Sequence, residues 1–440
     1  MQYFCGFDEY TPEPPFDASL MVHFRKRIPA EMVMEITEKL FTTEALSLMD
    51  APPPETPECD EQGGCDATPG NELHGSDENA TSNTDAAREA SVRNGTENET
   101  PAGQKQANRG TLILDATCCP QDIKYPTDIG LLNHARELCE EIIDRLYSQV
   151  MDQYAYKPRT YREVARRDFL GYAKKRKHTS RTIRKQIRKQ INYVARDLRI
   201  IDDLESKGAS IEELPEQLIR KLWTIRKLYL QQKEMYENKT RRCDNRIVSI
   251  SQPHVRPIVR GKEHVPVEFG AKVAIGLVGG YAFITDISWE NTAEGGLLKK
   301  AAEDYKTRFG FYPGNIIGDG VYPNRENRRW CKERNIRLSG PALGRKNEEI
   351  KREEKRQQYQ DACERNSVEG SFGTTKRKLG LDLVMTKLPD TSQTTIAMGF
   401  FVANMERKLR LLSSSFIYCY IFYDFDLMRL AISDIESVPA

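Results

Sequence analysis

The sequence lacks any long apolar run. Its longest uninterrupted apolar stretch, Phe416 to Phe422, is far shorter than the roughly 20 residues that a helix needs to cross a bilayer. It also lacks the basic residues and apolar run of a secretory signal peptide, because Met1 is followed at once by Tyr3, Phe4 and Asp8. From these absences we expect neither a membrane-spanning protein nor a secreted one. We expect a cytoplasmic protein.

The sequence also lacks CxxC motifs and a large net charge. The 10 cysteines are scattered, with Cys118 and Cys119 adjacent and no CxxC motif, which argues against structural zinc and against a disulfide framework. The net charge of +1 conceals two blocks of opposite sign. Lys157 to Arg199 carries 16 Lys and Arg against three acidic residues, whereas Ala51 to Thr100 carries 12 Asp and Glu against two Arg. Only the first block could bind a polyanion.

Large apolar side chains are almost absent from residues 50–109, which are rich in Pro, Gly, Ser, Thr, Asn, Asp and Glu. Such a segment cannot bury enough surface to offset its loss of conformational entropy on folding, so we expect a disordered acidic linker. Before it, residues 17–49 show apolar residues at helical spacing on both sides of Pro29. They predict a small N-terminal helical region.

The rest of the chain alternates between strand and helix patterns. Thr111 to Thr117 is an apolar strand of the kind buried on both faces, with Asp115 near its end. Three apolar stripes at helical spacing then run from Leu131 to Val150, from Ile183 to Ile201 and from Leu218 to Tyr229, the last two forming an antiparallel hairpin. The basic block Lys157 to Arg199 overlaps these helices. Either it is a solvated face or, as its density and its interspersed aromatic residues favour, it contacts the DNA backbone.

After this helical block the strand pattern returns. Two strands joined by Gly279-Gly280 are followed by a helix, a short strand, a helix, a final strand and a long charged helix, and then an apolar helix from Thr391 to Leu411. This order predicts an α/β fold. The strands and helices concerned are Phe269 to Leu277, Tyr281 to Trp289, Ala293 to Phe309, Asn315 to Asp319, Arg325 to Arg334, Ile336 to Ser339 and Asn347 to Glu369.

The stretch from Arg365 to Lys376 contains three charged residues that indicate a functional site. Arg365, Glu369 and Lys376 project towards one side of a helix, because their spacings of four and seven residues are close to whole turns. Alone, an Arg-Glu pair four residues apart is usually a surface ion pair. However, two distant apolar runs each end in an aspartate, Asp115 and Asp319. Two strand-end aspartates and a helical glutamate are what a two-magnesium phosphoryl-transfer site requires.

The pattern Arg365-x3-Glu369-x6-Lys376 resembles the signature around the third acidic residue of bacterial insertion-sequence transposases of the DDE class, and it is most similar to their number-five family, with its YREK-like signature. The stretches Arg246 to Gly261 and Arg325 to Lys332 resemble the same group, as do Tyr3-Phe4-Cys5-Gly6 and Pro15-Phe16-Asp17. The resemblance covers most of the chain outside residues 50–108 and the last 25 or so. In that family the chain usually begins before the Tyr-Phe-x-Gly motif, so we expect a truncated N-terminus.

The resemblance implies a fold and a set of roles. The fold would be a ribonuclease-H-like catalytic core with a mixed sheet, interrupted by an all-helical insertion. Asp115, Asp319 and Glu369 would be the catalytic metal ligands for two Mg²⁺ ions, with Mn²⁺ as a substitute. Arg365 and Lys376 would contact DNA beside the site, and Lys174, Lys175, Arg176 and Lys177 would bind its backbone.

The function implied is DNA transposition, by metal-dependent cleavage and strand transfer at the ends of an insertion sequence. The partners would be double-stranded DNA, as terminal inverted repeats and as target, and a second copy of the chain in a homodimeric synaptic complex at the nucleoid. The domains would be an N-terminal helical region at 1–49, a linker at 50–109, a catalytic domain at 110–118 and 250–411, a basic helical insertion at 119–249 and a C-terminal tail at 412–440.

Two departures from the family pattern concern efficiency rather than mechanism. Ala362 stands where the signature often has Tyr, and Gly320 follows the second aspartate where relatives commonly have Lys. Two other functions stay open: a nuclease of the same fold that cuts without joining, and a truncated DNA-binding derivative without catalysis. Retention of all three acidic residues argues against the second.

Overall fold

The computed structural model describes residues 17, 19–49, 107–259, 267–341 and 348–436, and the side chains of all of these except 348–351 and 415–436. The linker at 50–106 and the motifs before Asp17 lie outside the described residues. Within the described residues, no helix is both long enough and apolar enough to cross a membrane. The helices are α1 (Leu20–Arg27), α2 (Ala30–Met49), α3 (Asp128–Val150), α4 (Arg162–Ala173), α5 (Ser180–Ser206), α6 (Glu216–Glu237), α7 (Leu297–Phe309), α8 (Arg325–Glu333), α9 (Glu348–Leu379) and α10 (Pro389–Glu436).

Six strands form one mixed sheet: β1 (Thr111–Pro120), β2 (Arg256–Val259), β3 (Val267–Val278), β4 (Tyr281–Ser288), β5 (Asn315–Gly318) and β6 (Arg337–Leu338). The order is β2-β3-β1-β5-β6, with β4 also paired to β3. β1, β5 and β6 are parallel, whereas β2 and β4 are antiparallel to β3 and β3 is antiparallel to β1. This mixed α/β arrangement fits the ribonuclease-H-like core expected from the sequence.

Helices cover both faces of the sheet. Because side chains alternate along a strand, β1 sends Leu112 and Leu114 to one face and Ile113 to the other. The first face packs against α2, α7 and α8, and the second against α9 and the first part of α10. Burial on both faces explains why β1 is a continuous apolar run rather than an alternating one.

The hairpin between β3 and β4 has the predicted two-glycine turn. Gly279 and Gly280 have φ values of 56° and 80°, in the left-handed region that glycine adopts without steric cost. Arg407 of α10 donates to the carbonyl of Gly279 over 2.9 Å, and Asn404 bonds both backbone groups of Ala282. The helix α10 is thereby fixed to the hairpin.

Between β1 and β2 the chain forms helices α3 to α6. Three of them, α3, α5 and α6, share a buried core of their own, separate from the two cores that flank the sheet. Most residues of the predicted apolar stripes lie in this core, for example Leu138, Ile142, Val194, Ile201 and Ile225. The basic block is not one helical stretch, since α4 ends at Ala173 and α5 begins at Ser180.

Several predicted boundaries were wrong. β1 continues to Pro120 because it stays paired with β3 beyond the end of its pairing with β5, so Asp115 lies at mid-strand and not near the strand's end. The strand β2 was not predicted at all. The long charged helix continues past Glu369 to Leu379, and α10 continues to Glu436, so that the predicted tail boundary at 411 falls inside a helix.

Candidate functional site: an acidic cleft at the edge of the parallel strands

The residues singled out by the sequence line one cleft of about 1020 Å³. Asp115, Asp319 and Glu369 all face it, together with Arg365 and Lys376. They come from β1, from the loop after β5 and from α9, although 254 residues separate Asp115 from Glu369 in the chain. The fold therefore brings together the five residues on which the sequence prediction of a site depended.

The register of two parallel strands explains why the aspartates meet. Leu114 of β1 is paired with Gly318 of β5, and in each strand the aspartate is the next residue. Asp115, within β1, and Asp319, just after β5, therefore lie at the same level, where the pairing of the two strands ends. Side-chain alternation also turns Asp115 to the same face as Ile113, which is the face that α9 covers.

One side of helix α9 packs against the sheet, and another side lines the cleft. Val368 and Phe372 are buried against the sheet, and they flank Glu369 in the sequence. One helical turn before Arg365, Asp361 accepts two hydrogen bonds from Arg337 of β6, over 2.7 and 3.0 Å. Since Asp361 is almost fully buried, this bidentate pair fixes the position of α9 along the sheet.

Arg365 lies between two of the three carboxylates. Its Nη1 donates to Oδ1 of Asp319 over 3.2 Å, and its Nη2 is 3.8 Å from Oε1 of Glu369. The side chains of Asp319 and Glu369 are more than half exposed, whereas that of Arg365 is about one-third exposed. One cation thus bridges two acidic side chains that the sequence predicts to be metal ligands.

Asp115 is the most enclosed of the three acids. Its carboxylate accepts the backbone N–H of Ala116 over 2.7 Å. Burial raises the pKa of Asp115, and the charges of Glu294 and Asp319 raise it further, while the N–H of Ala116 and the charge of Arg365 act in the opposite direction. The cleft is thus a place where negative charge accumulates and where a cation is stabilised.

The remaining predicted residues divide between two places. Lys376, two turns beyond Glu369 on α9, lines the cleft near Cys118 of β1. The four residues Lys174, Lys175, Arg176 and Lys177 do not approach it. They form the exposed connection between α4 and α5, on the helical part of the chain between β1 and β2.

Sequence reasoning missed Glu294 and Lys272. Both line the cleft, and Lys272 Nζ lies 2.9 Å from Oε1 of Glu294. Glu294 follows β4 in a short 3-10 turn, Glu294–Gly296, that precedes α7. An acidic residue followed by two glycines between a strand and a helix was the available signal, but nothing local relates it to Asp115.

The donor set has the chemistry of a divalent-ion site, since Mg²⁺ binds carboxylate oxygens and retains several waters. In the described part of the chain, however, no group of three or more His, Cys, Asp or Glu side chains is arranged to hold a metal ion. The ion pairs of Arg365 explain part of why the carboxylates are not arranged around an ion. They hold Asp319 and Glu369 on opposite nitrogens of one guanidinium. Carboxylates are suitable ligands for Mg²⁺. To bind the ion, Asp319 and Glu369 would have to separate from Arg365.

Comparison with known proteins agrees with this geometry. Residues 316–406 match the family model of the transposase DDE domain. The matched range begins in β5, contains Asp319, all of α9 and Glu369, and ends within α10. It supports a DDE-type transposase, a class of nucleic-acid-cleaving enzymes that act in transposition and recombination and generally use divalent metal ions. Neither a curated protein nor a solved structure matches the chain.

Proposed function

We propose that the protein is a DNA transposase, of the number-five family of insertion sequences or a near relative, which cleaves the ends of an insertion sequence and joins them to target DNA. The observation that carries this proposal is the convergence of Asp115, Asp319 and Glu369 on one cleft with Arg365 and Lys376 beside them. The matched transposase DDE domain contains four of these five residues. The partners would be double-stranded DNA, as terminal inverted repeats and target, and a second copy of the chain in a synaptic homodimer at the nucleoid.

In this proposal Asp115, Asp319 and Glu369 hold two Mg²⁺ ions, for which Mn²⁺ can substitute. When bound, such ions would supply Lewis-acid activation of the attacking oxygen and charge stabilisation of the leaving oxygen in a displacement at phosphorus. The three carboxylates act as anionic ligands. No Ser, Cys or His nucleophile is needed, because the nucleophile is water or a DNA 3′-hydroxyl.

The cations of α9 would bind the DNA strand that enters the cleft. Lys376 is on the same helix as Glu369 and lines the same cleft, so it would contact the DNA backbone beside the acidic residues. Arg365 would exchange its two carboxylate partners for a DNA phosphate as the metal ions bind. Arg is suited to that exchange because its planar guanidinium binds carboxylate and phosphate in the same bidentate manner.

The helical part of the chain would add DNA binding that does not depend on the DNA sequence. We propose that residues 110–118 and 250–411 form the catalytic domain and that 119–249 is a DNA-binding insertion. The exposed loop Lys174 to Lys177 carries four positive charges and lies next to Arg181, at the start of α5. Clustered exposed cations of this kind bind phosphates and release counterions.

The test first searches the DNA that flanks the gene for inverted repeats and then uses a labelled DNA end that carries such a repeat. The purified protein with Mg²⁺ should nick this end and join its 3′-hydroxyl to a target plasmid. The variants Asp115→Asn, Asp319→Asn and Glu369→Gln should do neither. Cleavage without joining would favour the nuclease of the same fold, and DNA binding without cleavage by the parent would favour a non-catalytic derivative.

A further inference from the structure

A fourth carboxylate, Glu294, stands in the wall of the acidic cleft on a turn that is held rigidly. Its partner Lys272, on β3, lies 2.9 Å from Oε1 of Glu294 and also donates to the carbonyl of Thr292 over 2.7 Å. The side chains of Lys272 and Glu294 are 11% and 25% exposed. An ion pair this enclosed costs desolvation energy, which a purely structural surface pair would avoid.

The turn that carries Glu294 is tied to the loop that follows Asp319. The buried side-chain amide of Asn327 donates to the carbonyl of Gly295 over 2.7 Å and to the carbonyl of Tyr322 over 2.8 Å. A Cβ atom on Gly295 would lie only 2.7 Å from the carbonyl oxygen of Val321, so only glycine permits this approach. The backbone positions of Glu294 and of the Asp319 loop are therefore set together.

Glu294 lines the same cleft as Asp115, together with Asp319 and Glu369. Lys272 reaches Glu294 from the strand next to β1, where it is paired with Cys118. The fold thus holds a fourth carboxylate in the cleft that contains Asp115, and Lys272 fixes the orientation of that carboxylate.

We infer that Glu294 is a positioning residue of the proposed metal centre, whose carboxylate accepts hydrogen bonds from the water molecules that a divalent ion at Asp115 retains. This inference rests on the proposed function. Mg²⁺ keeps several waters in protein sites, and residues that hold such outer ligands typically change metal affinity by about 10- to 100-fold when they are replaced. Because Glu294 is already paired with Lys272, an outer position suits it better than direct coordination does.

The experiment measures Mn²⁺ binding to the full chain without DNA, by electron paramagnetic resonance of the free ion. Glu294→Gln keeps the size of the side chain and should weaken Mn²⁺ binding by about 10- to 100-fold. Glu294→Asp should recover part of the affinity, because it retains the charge. Glu290→Gln is the matched control, since Glu290 is an exposed acidic residue of the same segment that does not line the cleft, and it should bind Mn²⁺ like the parent. Thermal unfolding of each variant verifies that it is folded.

The outcomes separate this inference from the proposed function. If the parent binds Mn²⁺, Asp115→Asn loses it and folded Glu294→Gln binds as tightly as the parent, the inference about Glu294 is overturned and the proposed function stands. A loss for Glu294→Gln that Glu294→Asp repeats in full would also overturn it, because charge would then not be the cause. If the parent itself binds no Mn²⁺ with or without DNA, the metal-dependent function fails, and the inference fails with it.

Discussion

The guanidinium of Arg365 donates to the carboxylate of Asp319 over 3.2 Å across 46 residues of sequence. The same group lies 3.8 Å from Glu369, one helical turn further along α9. The helical spacing that makes Arg365 and Glu369 neighbours is visible in the sequence, but the contact with Asp319 exists only because α9 crosses the end of β5. This bridge links two of the three acidic residues to a single cation.

Replacing this cation should favour metal binding and impair DNA binding. In Arg365→Ala, Asp319 and Glu369 lose the positive charge that stabilises them, so we expect Mn²⁺ to bind several-fold more tightly in the absence of DNA. Titration calorimetry with Mn²⁺ and a DNA mobility-shift assay would measure the two effects. Arg377→Ala, an exposed cation of the same helix, should leave Mn²⁺ binding unchanged. Weaker Mn²⁺ binding by Arg365→Ala would contradict the idea that arginine and metal share these carboxylates.

Glu369→Gln should abolish strand cleavage. The substitution preserves the size of the side chain but removes the anionic charge that a metal ion needs, and a loss of several kcal/mol of charge stabilisation lowers a rate by on the order of 10³-fold. DNA binding should be unchanged or slightly tighter, because repulsion between the carboxylate and phosphate disappears. Single-turnover cleavage and fluorescence anisotropy measure the two quantities. Glu353→Gln, at an exposed position of α9, should cleave like the parent, and normal cleavage by folded Glu369→Gln would end the catalytic assignment.

Lys376→Ala should mainly weaken DNA binding. It withdraws one cation from the cleft and leaves all three acidic residues in place, so we expect roughly a tenfold weaker affinity for DNA ends, about 1.4 kcal/mol. Cleavage should persist at high enzyme concentration. Lys378→Ala is the control, since Lys378 is exposed in the last turn of α9 and does not line the cleft. Equal effects of the two substitutions in a mobility-shift titration would show that the position of Lys376 has no special role.

The loop between α4 and α5 should account for much of the salt dependence of DNA binding. Each phosphate contact contributes roughly 0.9 to the slope of log affinity against log salt. Replacing Lys174, Lys175, Arg176 and Lys177 by Ala should therefore flatten the slope measured between 50 and 200 mM salt. The matched variant replaces four lysines of the α6 region by Ala, which removes the same total charge. These are Lys221, Lys227, Lys233 and Lys239. If both variants flatten the slope equally, the loop is only a solvated surface.

Asp197 should make the stability of the helical part depend on pH. Burial raises its pKa to about 7, against the partly compensating charge of Arg196. The pKa in the unfolded chain is about 3.9, so between pH 4 and pH 7 the folded protein holds this proton more strongly than the unfolded chain does. The contribution of Asp197 to the free energy of unfolding therefore falls as the pH rises through that window.

Thermal unfolding at pH 5 and pH 8 tests this sign. Asp197→Asn cannot ionise, so its melting temperature should exceed that of the parent at pH 8, and the difference should shrink or reverse at pH 5. Asp152→Asn, at an exposed position after α3, should follow the parent at both values. A parent that gains stability relative to Asp197→Asn as the pH rises would show that Asp197 is ionised and well paired in the folded protein.

The sequence by itself was sufficient for the elements whose information is local. The apolar runs of β1, β3 and β5 and the helical period of α3, α5 and α6 are local patterns, and each element lies close to its predicted position. The double glycine at Gly279-Gly280 likewise marks the turn between β3 and β4. The shared face of Arg365 and Glu369 was also predicted, because the helical repeat alone relates residues four apart. Element ends were less predictable, because β1 extends to Pro120 only through its partner β3.

Only the tertiary structure decided which distant residues meet. Asp115 and Asp319 lie at the same level of the sheet because Leu114 is paired with Gly318, and no local pattern encodes that pairing. The presence of Glu294 in the same cleft as Asp115 depends on the packing of its turn against the loop after β5, through Asn327. Local patterns arise from the geometry of one element, whereas a site made from several elements depends on sheet register and on packing between parts of the chain that are far apart in sequence.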